Sequence, residues 1–221
     1  MKRISINLYS IDELSNEVQK LVFEKYRSFN VENDNWYEST FYDFTALCKS
    51  FGIVIDRDRI SFRGFSSQGD GSTFESSVDE IKFISRANSQ GWKEYAPLLE
   101  FNFEEFPCDK RVTRLIEKGA IECKCSTKVP TKGYWIDITV DFQLKSPRKA
   151  EFKNINKELA ELEHWLEDCL NVLNNHLYKS LAEEYEYLTS DVILRETFSA
   201  NNYVFTEDGT LANGLLKLSQ Q

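Results

Sequence analysis

Two histidines, five cysteines and one pair of aspartates are the side chains of this 221-residue chain best suited to making or breaking bonds. A nucleophile needs a base that titrates near neutrality, which leaves His164 and His176. They lie on one helical pattern, twelve residues apart. At 100° per residue they point about 120° apart, so they do not form the i, i+4 pair that grips a metal. Nothing near either one completes a triad, and both read as structural: His164 among glutamates, His176 on the flank of an apolar stripe. Cys123 and Cys125 fall on the same face of an alternating segment, but zinc needs four ligands, usually as two close pairs. Cys48, Cys108 and Cys169 are scattered, and an odd count reads as free, packed thiols. Asp137 and Asp141 share the wet face of another alternating segment, about 6.8 Å apart by strand rise. Paired carboxylates do glycosidase or divalent-metal work when a cleft raises the pKa of one of them. On an open strand face they read as solubilising.

Gly64 and Gly69-Asp70-Gly71 resemble a phosphate cradle only superficially. A Walker loop carries Lys and Ser/Thr into a helix, whereas here a strand pattern follows. The segment reads as a hairpin turn that presents Gln68 and Asp70 to a partner, with Arg57, Arg59 and Arg63 as a small basic patch beside it. Lys145, Arg148, Lys149 and Lys153 make a second basic patch, read as solvated. No metal or cofactor is expected.

These groups need elements to hold them. Ser10 and Glu13 have capping-box spacing ahead of an apolar period through Leu14, Val18, Leu21, Val22, Tyr26 and Phe29, which predicts a helix over 11–29. Asn33 and Asp34 can cap a second helix, striped by Trp36, Phe41, Phe44, Leu47 and Phe51 and stopped by Gly52. Strands are predicted over 53–65 and 73–78, and again over 120–129 and 134–143, where apolar and polar residues alternate around a loop at 130–133. Between these hairpins, 78–105 mixes helical and strand-like patterns, and 109–118 reads as a short helix ended by Gly119. The longest signal runs from Ile155 through Leu159, Leu162, Leu166, Leu170, Leu173, Leu177 and Leu181 to Leu188, a helix of roughly 50 Å. Thr189-Ser190-Asp191 breaks it and caps a shorter helix over 192–200; Tyr203-Val204-Phe205 reads as a brief strand. The expected fold is α+β: one domain over 1–221, with an antiparallel sheet of about four strands covered by two N-terminal helices and the long C-terminal helix. Residues 78–119 are expected to be a variable insertion and 210–221 a loose tail.

Composition narrows the function classes. Hydrophobic residues at 41% and aromatic residues at 14% supply a core and exclude disorder. No stretch approaches the roughly 20 apolar residues of a membrane span. The first ten residues lack an apolar signal core, so a cytoplasmic location is expected. The net charge of −9 is unevenly placed. From Ile155 onward twelve acids face four bases, while the first 154 residues nearly balance. Such a field repels phosphate backbones and attracts basic partners, so no direct nucleic-acid binding is expected of that third. Glu183, Glu184 and Glu186 are its densest cluster. With Gln68, Asp70 and Arg63 they are the candidate partner-binding residues; the oligomeric state is left open.

Three stretches carry a resemblance: Leu8-Tyr9-Ser10-Ile11-Asp12-Glu13-Leu14-Ser15, Gly64-Phe65-Ser66-Ser67-Gln68-Gly69-Asp70-Gly71, and Glu184-Tyr185-Glu186-Tyr187-Leu188-Thr189-Ser190-Asp191. In these the chain resembles a family of uncharacterised phage and prophage proteins, some labelled antitoxin-like. The resemblance implies a phage setting, in which small acidic proteins act by stoichiometric binding to a host protein with a basic surface. A counter-defence, anti-CRISPR-like inhibitor of a nucleic-acid-processing complex is the leading expectation. The alternatives are an antitoxin that neutralises a toxin, and a divalent-metal hydrolase built on Asp70, Asp137 and Asp141.

Overall fold

The computed structural model describes residues 5–33, 35–108, 110–146 and 153–214. Among them are six α-helices and a four-stranded antiparallel sheet, an α+β arrangement. The chain groups into two compact units, Glu38–Leu181 (the sheet unit) and Met1–Tyr37 with Ala182–Gln221 (the terminal unit).

In the sheet unit, helix α2 (Glu38–Phe51) buries Phe41, Phe44, Leu47, Cys48 and Phe51 along one face and lies against the first strand. Gly52, at φ +88°, provides the left-handed turn that ends it. Strands β1 (Ile53–Arg63), β2 (Gly71–Val78), β3 (Ile121–Lys128) and β4 (Asp137–Leu144) follow as a meander in the order β1-β2-β3-β4. The ladder between β2 and β3 is short, with Ser76 opposite Thr127 and Ser77 opposite Ser126. Buried hydroxyls reinforce it: Thr127 Oγ1 donates to Phe74 O at 2.8 Å and lies 2.9 Å from Ser76 Oγ. On β3, Ile121, Cys125 and Thr127 are buried while Glu122 and Lys128 are exposed, so the predicted alternation holds.

The segment of mixed pattern resolves into α3 (Glu80–Asn88), a 3₁₀ turn (Gly91–Glu94), and a stretch over 95–108 without regular structure. That stretch is held by rings rather than by a ladder. Phe101 and Phe103 stack at 5.2 Å, and both meet Phe51 and Trp92. Trp165 Nε1 donates to Glu104 O and Trp92 Nε1 to Leu99 O. Helix α4 (Lys110–Glu117) then leads into β3.

Helix α5 (Lys153–Leu188) is 36 residues long, about 54 Å. Its predicted stripe is its buried stripe: Leu159, Leu162, Leu166, Leu170, Leu173, Leu177 and Leu181 are all inside. Burying each contributes about 2 kcal/mol of gross hydrophobic free energy. Ser72 on β2 fixes the seating, since its hydroxyl donates to the Asn174 side chain or main chain at 3.0 Å and its carbonyl accepts from Asn174 Nδ2 at 3.0 Å. Glu163 Oε1 also accepts the main-chain N–H of Phe142 on the edge strand β4, at 2.8 Å.

In the terminal unit the helix predicted over 11–29 is broken in two. Glu13 Oε2 accepts from the Ser10 N–H and hydroxyl, as the spacing suggests, but the box closes only a 3₁₀ turn (Ile11–Glu13). Leu14 is extended at ψ 151°, and Ser15 caps a fresh helix, α1 (Asn16–Lys25), by accepting from the Val18 N–H. Two cap-competent serines five residues apart allow the chain to restart. α1 buries Val22 and Phe23 with Ile11, Leu14, Leu194, Phe198 and Phe205. Helix α6 (Asp191–Ala200) begins at Ser190, whose hydroxyl accepts from the Ile193 N–H. Arg195 on α6 pairs with Asp12 at 2.6 Å and with Gln19 Oε1 at 2.6 Å, over the Phe23 ring. The predicted strand at 203–205 is reduced to bridges of Phe205 with Tyr9 and Leu211. The expected loose tail is tied as far as Asn213, whose Oδ1 accepts the Val204 N–H; its residues 215–221 lie outside the described residues. So do Asp34, expected as a cap, and Arg148 and Lys149 of the second basic patch.

Candidate functional site

The proposed partner-binding residues fall into two groups. Arg63, the last residue of β1, stands beside Gln68 and Asp70 in the loop between β1 and β2 in the sheet unit; Glu183, Glu184 and Glu186 occupy the last turns of α5 in the terminal unit.

The loop is organised by its own aspartate. Asp70 Oδ2 accepts from the main-chain N–H groups of Ser66 at 2.9 Å and Ser67 at 2.6 Å. Gly64, at φ +47°, makes room for it: a Cβ there would lie 2.6 Å from the carboxylate. Asp70 therefore serves the turn, while Arg63 and Gln68 stay exposed at its rim. Burial, then the Asp70 charge, hold the nearby Tyr178 phenol above its ordinary value.

At the end of α5 the main chain is well satisfied. Arg27 Nη1 donates to Thr189 O at 3.0 Å and also meets the Asp191 carboxylate; Asn30 Nδ2 donates to Leu188 O at 3.0 Å. The side chains tell a different story. No basic residue stands in the last turn of α5, and among the described residues no cation pairs with Glu183, Glu184 or Glu186. A helix C-terminus already carries a partial negative charge, so carboxylates there are mildly unfavourable. Tyr187, one turn after Glu183, is 57% exposed, whereas Tyr185 packs edge-on against Trp36 at 5.8 Å.

The groups with bond-making chemistry remain apart. The His164 side chain is 76% exposed, near Glu167 and Asp168; His176 packs edge-on against Phe101 at 5.3 Å. Asp137 accepts from Trp135 Nε1 at 3.0 Å, and Asp141, opposite Lys124 in the ladder, accepts from Gln143 Nε2 at 2.7 Å. Burial pushes the Cys125 thiol up to about 12 and those of Cys48, Cys123 and Cys169 upward too, so thiolate is scarce at neutral pH. Among the described residues no three His, Cys, Asp or Glu side chains converge as metal ligands would. No helix among them is long and apolar enough to cross a membrane.

One feature escaped the sequence reading. Between α4 and the first turns of α5 lies a cavity of about 530 Å³, rimmed by Arg111, Arg114 and Lys118 over a floor of Val112, Leu115 and Ile155. The i, i+3, i+7 spacing of the three cations was the available signal. Residues 36–191, which contain this cavity, the β1–β2 loop and the acidic end of α5, match a family described as Domain of unknown function (DUF8835). No curated protein and no solved structure matches the chain.

Proposed function

We propose that this chain, which belongs to the DUF8835 family, is a non-catalytic binding protein of phage origin that inhibits a host protein by covering a basic surface. The observation that carries this reading is the acidic end of α5. Three carboxylates cluster near the C-terminus of the helix, none of them in an ion pair among the described residues, with Glu186 in the last turn, where the dipole disfavours it, and an exposed tyrosine alongside. A fold gains nothing from that placement by itself; a cationic partner does. Long-range attraction would speed its approach, and the tyrosine would supply amphipathic contact area once it docks. The uneven charge and the resemblance to phage proteins favour a target whose basic groove ordinarily holds nucleic acid, in the cytoplasm of the host.

The test compares wild type with Glu183→Lys/Glu184→Lys/Glu186→Lys. Each is used to capture partners from host extract, and association with the purified partner is then timed at low and high salt. The expected result is an on-rate for wild type at least about tenfold above that of the variant at low salt, converging as salt rises. Equal on-rates at low salt overturn the reading, as does steady turnover of a substrate by the isolated chain. Rescue of growth against a co-expressed toxin would place the same surface in an antitoxin.

A further inference from the structure

The cations of α4 form a surface of opposite sign to the end of α5. Arg111, Arg114 and Lys118 fall within about 60° of arc on a helical wheel, and the backbone bond from Lys118 N to Arg114 O continues the helical turn to the third of them. Arg114 and Lys118 have no carboxylate partner among the described residues. Glu158 is the one acid lining the same cavity, so Arg114 and Lys118 leave its rim net positive. Beneath them Val112 is buried, and Leu115 and Ile155 are half-buried, leaving an apolar floor open to a side chain.

We infer that this groove receives the acidic end of α5 from a second copy of the chain. Glu183 and Glu186, both exposed and about 60° apart on the helical wheel, set two carboxylates against Arg114 and Lys118. Tyr187 is the large exposed side chain beside them, one turn from Glu183, and suits an apolar floor with a charged rim. A phosphate backbone would meet the same cations, but it would gain nothing from the floor and would be repelled by Glu158 and by the net charge of −9. The pairing is heterologous: a groove meets a helix end, so each docked pair keeps one unused groove and one unused end, and assembly proceeds to a ring or an open chain. It rests on the reading of the acidic end as a binding surface, and makes self-assembly compete with capture of a basic partner.

Sedimentation velocity of the full chain over a range of concentrations tests this. Wild type should associate at low salt and weaken by about tenfold or more at high salt. Glu183→Gln/Glu186→Gln spoils the helix end and Arg114→Gln/Lys118→Gln spoils the groove; all four positions are surface sites, and circular dichroism verifies folding. Each variant alone should be monomeric, yet an equimolar mixture should form a one-to-one dimer, because each retains the face the other lacks. A monomeric wild type, a mixture that stays monomeric, or a groove that instead binds a single-stranded oligonucleotide in a manner lost in Arg114→Gln/Lys118→Gln overturns the inference. Loss of self-assembly in Glu183→Gln/Glu186→Gln with host-partner capture intact removes the proposed function and leaves this inference standing. The converse result removes only the inference.

Discussion

Between Leu159 and Leu181, α5 turns seven leucines inward and anchors Asn174 to Ser72; between 182 and 188 the same helix holds three carboxylates and a half-exposed tyrosine against water or a partner. The first stretch belongs to the sheet unit and the second to the terminal unit. Their backbones are alike, so the difference lies in what each side chain does for the fold. In the first stretch every buried group has a use that folding itself rewards. In the second the last main-chain carbonyls accept from Asn30, Thr189 and Ser190, and the acids are left over. Residues that a fold tolerates but does not need are where a binding function is most economically sought.

The contrast is sharpest for a leucine of the first stretch. Leu173→Ala, at a fully buried position, should cost about 3–5 kcal/mol in denaturant unfolding. A cost under about 1 kcal/mol would mean the helix is not seated as described. Next comes Ser72→Ala, which leaves Asn174 Oδ1 without its hydroxyl donor and should cost about 1–3 kcal/mol at unchanged denaturant slope. The smallest effect has the opposite sign. Glu186→Lys, in the last turn, should raise stability by about 0.3–1 kcal/mol at low salt and Glu183→Lys, one turn earlier and facing Lys179, by less, and both gains should fade at high salt. If those substitutions destabilise the protein, the acids serve the fold and the contrast along α5 collapses.

Much of the first stretch was legible in the sequence, because a leucine every three or four residues records the boundary between water and core directly. The alternations of β3 and β4 are legible for the same reason. Other features depend on competition between local options. Ser10 and Ser15 both offer caps, and only packing of Leu14 into the cluster with Phe198 and Phe205 decides that the chain restarts between them. Residues 95–108 carry no period because rings from α2, α3 and α5 hold them, and ring contacts impose no spacing. For the candidate sites, the acidic cluster could be read from composition. The role of Asp70 inside its own turn needed the loop geometry, and the α4 groove needed a second helix beside the first.

The leucine stripe of α5 nearly repeats under a shift of seven residues: Leu159, Leu166 and Leu173 form one such series, and Leu170 and Leu177 another. Grease alone would scarcely distinguish the native register from one slid by two turns, about 10.5 Å along the axis. Asn174 breaks that degeneracy, since only one sliding position brings its amide opposite Ser72. A lone polar pair in an otherwise oily seam thus acts as an index mark, sorting the correct alignment from its near copies while the chain is still folding.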